Sequence, residues 1–159
     1  MTAPTGLQPP ASAAGANHRL RGSRRWWASP GWVVSALCWA GSLVVVASSV
    51  IHFHLWSTGY RHIPTIGPLF LAQAVLGLMV ALVVSVTRQW WTALAGALFA
   101  VGTIGGLVVS VEIGLFGFRD SFSAPDAHAS LLTEAAAAVI LAAAAVVDVV
   151  QRHRAGDPI

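Results

Sequence analysis

The sequence has no lysine, one cysteine, one tyrosine, two methionines and six acids in 159 residues, and each shortage excludes something. Charged residues make up 9% of the chain, whereas a soluble domain carries about 25%. A chain this poor in charge cannot clothe a globular surface in polar groups, so lipid is the expected solvent for most of it. The lone thiol, Cys38, rules out an internal disulfide, thiol–disulfide redox chemistry and a cysteine-based zinc site. All nine basic residues are arginine, a compositional bias with no mechanism attached. They gather at chain ends and loop edges, where the positive-inside rule places them, and not along a surface stripe, which argues against nucleic acid as a partner. Nucleophile elbow, P-loop, HExxH and Gly-rich dinucleotide turn are all missing, so no enzyme class is indicated.

What is present is 56% hydrophobic sequence arranged in long runs. Residues 1–28 read as a disordered basic cytoplasmic tail. Four arginines beside Trp26-Trp27 act there as a juxtamembrane anchor and topology signal. The Ser23–Trp27 stretch resembles a twin-arginine export signal, but the apolar run after it is long enough to span. A cleaved leader with three remaining spans is the competing topology. Four spans are expected, at about 31–55, 69–86, 92–116 and 129–150, within a transmembrane domain of 29–151 followed by a cytoplasmic tail, 152–159. Ala36 and Ala40 give the first span a small-residue face. Pro68 suits the first turn of the second, and Thr87-Arg88-Gln89 leaves room only for a tight hairpin. Ser123 is the expected N-cap of the last span, with Asp126 as the acid three residues on. Seven of the nine arginines then fall on one side; only Arg61 and Arg119 fall on the other. This predicts an all-α membrane protein of the plasma membrane: a left-handed antiparallel four-helix transmembrane bundle with both termini cytoplasmic.

Gly102, Gly106, Ser110 and Gly114 recur every four residues. Such a ridge lets another helix approach closely in lipid, either within the chain or from a second copy in a homodimer or larger membrane complex. The ionisable residues form a layer near the outer surface. His52, Glu112 and Glu134 lie on three different spans, each roughly 5–8 Å below the outer interface at the helical rise per residue. Charge at that depth is costly and should face the bundle interior. Three readings stay open. The favoured one is a structural hydrogen-bond cluster tying the helices together. The second is a proton site, or a divalent metal held by His52, Glu112 and Glu134 as a facial triad. The third is haem b between His52 or His54 and His128. Tyr60 reads as an interfacial belt residue, Gln73 as a helix–helix hydrogen bond and Cys38 as an inert small hydrophobe.

The run from His52 to Val75, with HLW, GY and IPTIGPLFLAQAV, together with GLFGFRD at 114–120 and an Ala-rich last helix, resembles small four-helix membrane proteins of actinobacterial type that carry no assigned activity. In size and span count the chain is also similar to DoxX-like four-helix proteins. Neither resemblance implies a catalytic set. The functional expectation is a non-enzymatic structural, accessory or assembly subunit; the alternative is a small transporter or redox component using the outer polar layer.

Overall fold

On the first apolar run, Val34, Cys38, Gly41, Val45, Ser48, His52 and Leu55 are buried, at alternating spacings of four and three. On the last run, Ala127, Ser130, Glu134, Ala137, Leu141, Ala144 and Asp148 repeat the pattern, starting from a spacing of three. A seam with that period keeps one face of a helix against its neighbour over many turns. The remaining faces are apolar too: Leu132 and Val139 are 70% and 69% exposed, and Leu82 is 63%.

A computed structural model describes residues 31–123 and 126–155. The basic tail, the leader alternative and the end of the C-terminal tail lie outside the described residues. Helix α1 spans Gly31–Thr58, α2 Ile66–Thr87, α3 Trp90–Glu112 and α4 Ala127–Ala155. All four are long and apolar enough to cross a membrane. A single 3-10 turn, Tyr60–His62, lies between α1 and α2. Helix α1 packs on α2 and α4, and α3 packs on α4, whereas α2 and α3 share a much smaller contact.

The helix ends differ from the sequence expectation for local reasons. Ser57 and Thr58 donate to the His54 carbonyl and carry α1 past Leu55. Helix α4 begins at Ala127, after Asp126 at φ 61°, so Ser123 is not its N-cap; its backbone N–H instead donates to the Ser121 hydroxyl. Helix α3 stops at Glu112 because Gly114 adopts φ +89°, a conformation open to glycine and closed to continued helix. The next four residues make a tight turn. Leu115 and Phe118 exchange backbone hydrogen bonds of 2.7 and 2.8 Å across Phe116 and Gly117, both at positive φ, as a type I′ turn requires.

Close packing concentrates at Leu141, which is completely buried. A Cβ added at Gly41 of α1 would collide with its isobutyl group, and one added at Gly96 of α3 would lie 2.8 Å from its Cδ1. Leu141 therefore sits where two glycines make room from opposite sides. Gly77 of α2 accommodates Ser49 of α1 in the same way. Ala36 and Ala40, expected to form the small face of α1, are exposed. The Gly102–Gly106 ridge also meets no partner among the described residues: a Cβ at Gly102, Gly105 or Gly106 would meet nothing within 4 Å.

The end bearing the Arg88–Gln89 connection is tied by Asp148. Its carboxylate accepts the Trp90 backbone N–H at 3.0 Å and Arg152 Nε at 3.1 Å, while Arg152 Nη2 donates to Gln89 Oε1 at 2.8 Å. Asp148 and Arg152, four residues apart, thus form an ion pair, but the stronger element is the carboxylate at the N-terminus of α3, where it satisfies an orphan N–H and meets the positive end of the helix dipole. Exposed ion pairs at this spacing contribute only about 0.3–0.5 kcal/mol, while a buried N–H left without its acceptor costs about 1–3 kcal/mol. D148A should therefore lower unfolding stability by about 1–3 kcal/mol, and R152A by less than about 1 kcal/mol, in denaturant titrations of the detergent-solubilised protein. Equal losses would show that the ion pair dominates.

Candidate functional site

The seams of α1 and α4 bring His52 and Glu134 together. His52 Nε2 lies 3.5 Å from Glu134 Oε1, and Glu134 is only 3% exposed. Ser48 and Ser130 donate to the same oxygen at 3.5 and 3.3 Å. Thr103 approaches from α3, but its hydroxyl is directed to the Ala100 carbonyl at 2.7 Å. The other side of the imidazole is fixed by Nδ1, 2.9 Å from the Ser48 carbonyl. A carbonyl only accepts, so Nδ1 carries a hydrogen in that contact. The ring also packs on Phe70, with centroids 5.5 Å apart.

The pair forms part of the wall of a cavity of about 440 Å³. The cavity exists because α3 fails to close on α2 at this end. The two helices touch near their connection, where Val80 and Val84 stand over Gly96 and Phe99 stands beside Gly77. Beyond that, no residue of α3 between Val101 and Val109 is buried, and Gly102 and Gly106 offer no side chain to fill the gap. The lining is mostly apolar, with aromatic walls from Tyr60, Phe70, Phe99 and Phe118.

Tyr60 closes the cavity at the loop end and is not a simple belt residue. Its ring stacks on Phe70 with centroids 4.4 Å apart and meets the edge of Phe118 at 5.8 Å. Its hydroxyl points to Asp120 Oδ1 at 3.4 Å, a long contact for an O–H donor. Burial first, then the Asp120 charge and this hydrogen bond, push the phenol above its ordinary value of 10.0. Asp120 is held by its own N–H, which donates to the Ser110 carbonyl at 3.3 Å, and by its Oδ1, which accepts the Ser121 N–H at 2.8 Å.

Of the three residues expected in one layer, His52 and Glu134 meet and Glu112 does not. Glu112 is the last residue of α3 and stands about 200° around the helix from the cavity-lining Ser110, exposed, with its backbone carbonyl accepting Arg119 Nη2 at 2.6 Å. Among the described residues no three His, Cys, Asp or Glu side chains converge as metal ligands. His54 and His128 are exposed and do not line the cavity, so among the described residues no second imidazole joins His52 there. Gln73, expected to bridge helices, lines the cavity. Reading single residues missed Ser48 and Ser130. The alternation of three and four along α1 and α4 was the signal that finds them.

No family model matches this chain, and neither a curated protein nor a solved structure is significantly similar to it.

Proposed function

We propose that the chain is a multi-pass plasma-membrane protein that binds a small ligand in the outer half of an antiparallel four-helix bundle, without catalysing a reaction. The observation that carries this reading is a buried imidazole–carboxylate pair at the wall of a cavity of about 440 Å³, a volume suited to a drug-sized molecule. A structural cluster alone would be packed over by neighbouring side chains; this one faces unfilled space beside the exposed Gly102 and Gly106. The bundle geometry is supported by the contacts Gly41–Leu141 and Ser48–Glu134, in which numbers rise along α1 as they fall along α4. The three–four seams support left-handed packing. The apolar outer faces support lipid as the surroundings. Arg88, Arg152 and Arg154 at one end, with four more arginines in the N-terminal tail, support cytoplasmic termini.

A second reading, an accessory or assembly subunit, is favoured by the bare Gly102–Gly106 face of α3, which a second copy or another membrane helix would cover. Fusions of alkaline phosphatase and green fluorescent protein at both termini, Gln89, Gly59 and Gly117 test the topology. The expected result is fluorescence at the termini and Gln89, and phosphatase activity at Gly59 and Gly117. Termini on opposite faces would overturn the proposal, since α1 and α4 would no longer share a depth.

A further inference from the structure

The electrostatics of the cavity go further than its volume. Among the described residues its wall carries two carboxylates, Glu134 deep inside and Asp120 at the Tyr60 end, and no arginine. The nearby guanidinium groups are turned elsewhere: Arg119 to the Glu112 carbonyl, and Arg61 to the His62 ring at 2.9 Å. An anionic guest, such as a phosphate headgroup or a fatty-acid carboxylate, would face only like charge. A cation would face carboxylates and the rings of Tyr60, Phe70, Phe99 and Phe118, which attract it through their quadrupoles.

The pair also has a proton to exchange. With Nδ1 bonded to the Ser48 carbonyl, an unprotonated pair would set the Nε2 lone pair against an Oε1 lone pair at 3.5 Å. One proton between them removes that repulsion and makes the pair neutral, whichever atom holds it. Oε1 also takes the contacts from Ser48 and Ser130, and the Thr103 hydroxyl of α3 approaches the same carboxylate.

We propose that this cavity binds a lipophilic organic cation in exchange for the proton held between His52 and Glu134. The proposal rests on the ligand-binding reading above and supplies its substrate class. The charge balances: the neutral pair gives up one proton and becomes an anion, which the incoming cation neutralises. The titratable groups on the wall are His52 from α1, Tyr60 from the 3-10 turn, Asp120 from the α3–α4 loop and Glu134 from α4. Helices α2 and α3 contribute Gln73, Thr103 and Ser110, none of which titrates in this range.

The test uses the full chain in detergent and two probes of nearly equal shape and opposite charge, tetraphenylphosphonium and tetraphenylborate, in equilibrium dialysis. The cation should bind saturably, release a proton, and tighten by up to about tenfold per pH unit, the limit for one exchanged proton. Tetraphenylborate should not compete. E134Q should weaken cation binding by about tenfold or more and flatten its pH dependence. Gly106→Leu, whose Cβ meets nothing within 4 Å, should fill the cavity and abolish binding without lowering the unfolding temperature. Should E134Q fail to fold, the Gly106 variant and the charge-reversed probe still decide. Cation binding indifferent to E134Q, or equal binding of both probes, overturns the cation–proton assignment. If tetraphenylborate alone binds and Gly106→Leu removes it, the assignment fails while the ligand-binding reading survives. If neither probe binds the folded protein, the assignment fails, and the reporter fusions then decide separately whether the bundle reading stands.

Discussion

Replacing Leu141 with alanine should destabilise the protein by about 2–5 kcal/mol, the largest loss expected from any single truncation in the chain. Leu141 is the bulkiest of the fully buried side chains. It fills the room left by Gly41 on α1 and Gly96 on α3. Removing its branched end leaves both helices facing a void that neither glycine can fill. Apolar side chains gain little by leaving lipid, so helices in a bilayer depend on such contacts for their packing energy. The converse change, Gly41→Ala, sets a Cβ against Leu141 Cγ at 2.7 Å and should cost about 1–3 kcal/mol by overpacking. The double variant should lose less than the sum, because the new methyl enters the space the leucine vacated. Steric-trapping or denaturant measurements on the four proteins of this cycle give the coupling directly. Strict additivity would mean that the two positions do not touch.

The four long helices are legible because the apolar runs are long and the interruptions between them carry arginine, proline or paired tryptophan. That His52 and Glu134 stand at matching heights follows from the expected helix bounds, whereas their meeting rests on seams repeating every three and four residues, which burial reveals. Glu112 misses the layer because it faces away from Ser110 and because α3 ends at it. In an apolar sequence Gly114 reads equally well as the fourth member of a packing ridge or as the terminator of a helix, and its φ of +89° makes it the terminator. Only Gly102, Gly106 and Ser110 share a face of α3, and spacing within one helix does not say what lies opposite. Across from Gly102 and Gly106 lies the cavity. Gly41, Gly77 and Gly96 form no small-residue repeat of their own, yet an added Cβ at each would collide with a side chain of a neighbouring helix. Their role depends on Leu141, Ser49 and Val80 arriving from elsewhere in the chain. The cavity had no sequence signal of its own, because it follows from side chains missing on one helix beside a neighbour that cannot close the gap.

Gly67→Ala should disrupt stability and the site together, and through backbone alone. A Cβ at Gly67, in the first turn of α2, would lie 2.7 Å from the Tyr60 carbonyl oxygen and 2.8 Å from that of Arg61. Leu141 can yield by changing rotamer, but these two oxygens belong to the 3-10 turn and move only if the turn lifts. Lifting it opposes the Gly67 N–H bond to the Ile63 carbonyl at 2.9 Å and draws Tyr60 away from Phe70 and Asp120. A cost of about 1–3 kcal/mol is expected from the overpacking, with loss of the cavity's closure at this end. Tyr60 is the only tyrosine, so an ultraviolet difference titration reports on it alone. In the wild type the phenol ionises above 10.0, first because of burial and then because of Asp120. Its contribution to stability is therefore complete below the unfolded value of about 10 and is lost as pH rises through the folded one. In the Gly67 variant the midpoint should fall back toward 10, and tetraphenylphosphonium should bind more weakly. An unchanged Tyr60 midpoint in a folded Gly67→Ala protein would show that the turn does not lean on this glycine, and the roof of the cavity would then need another support.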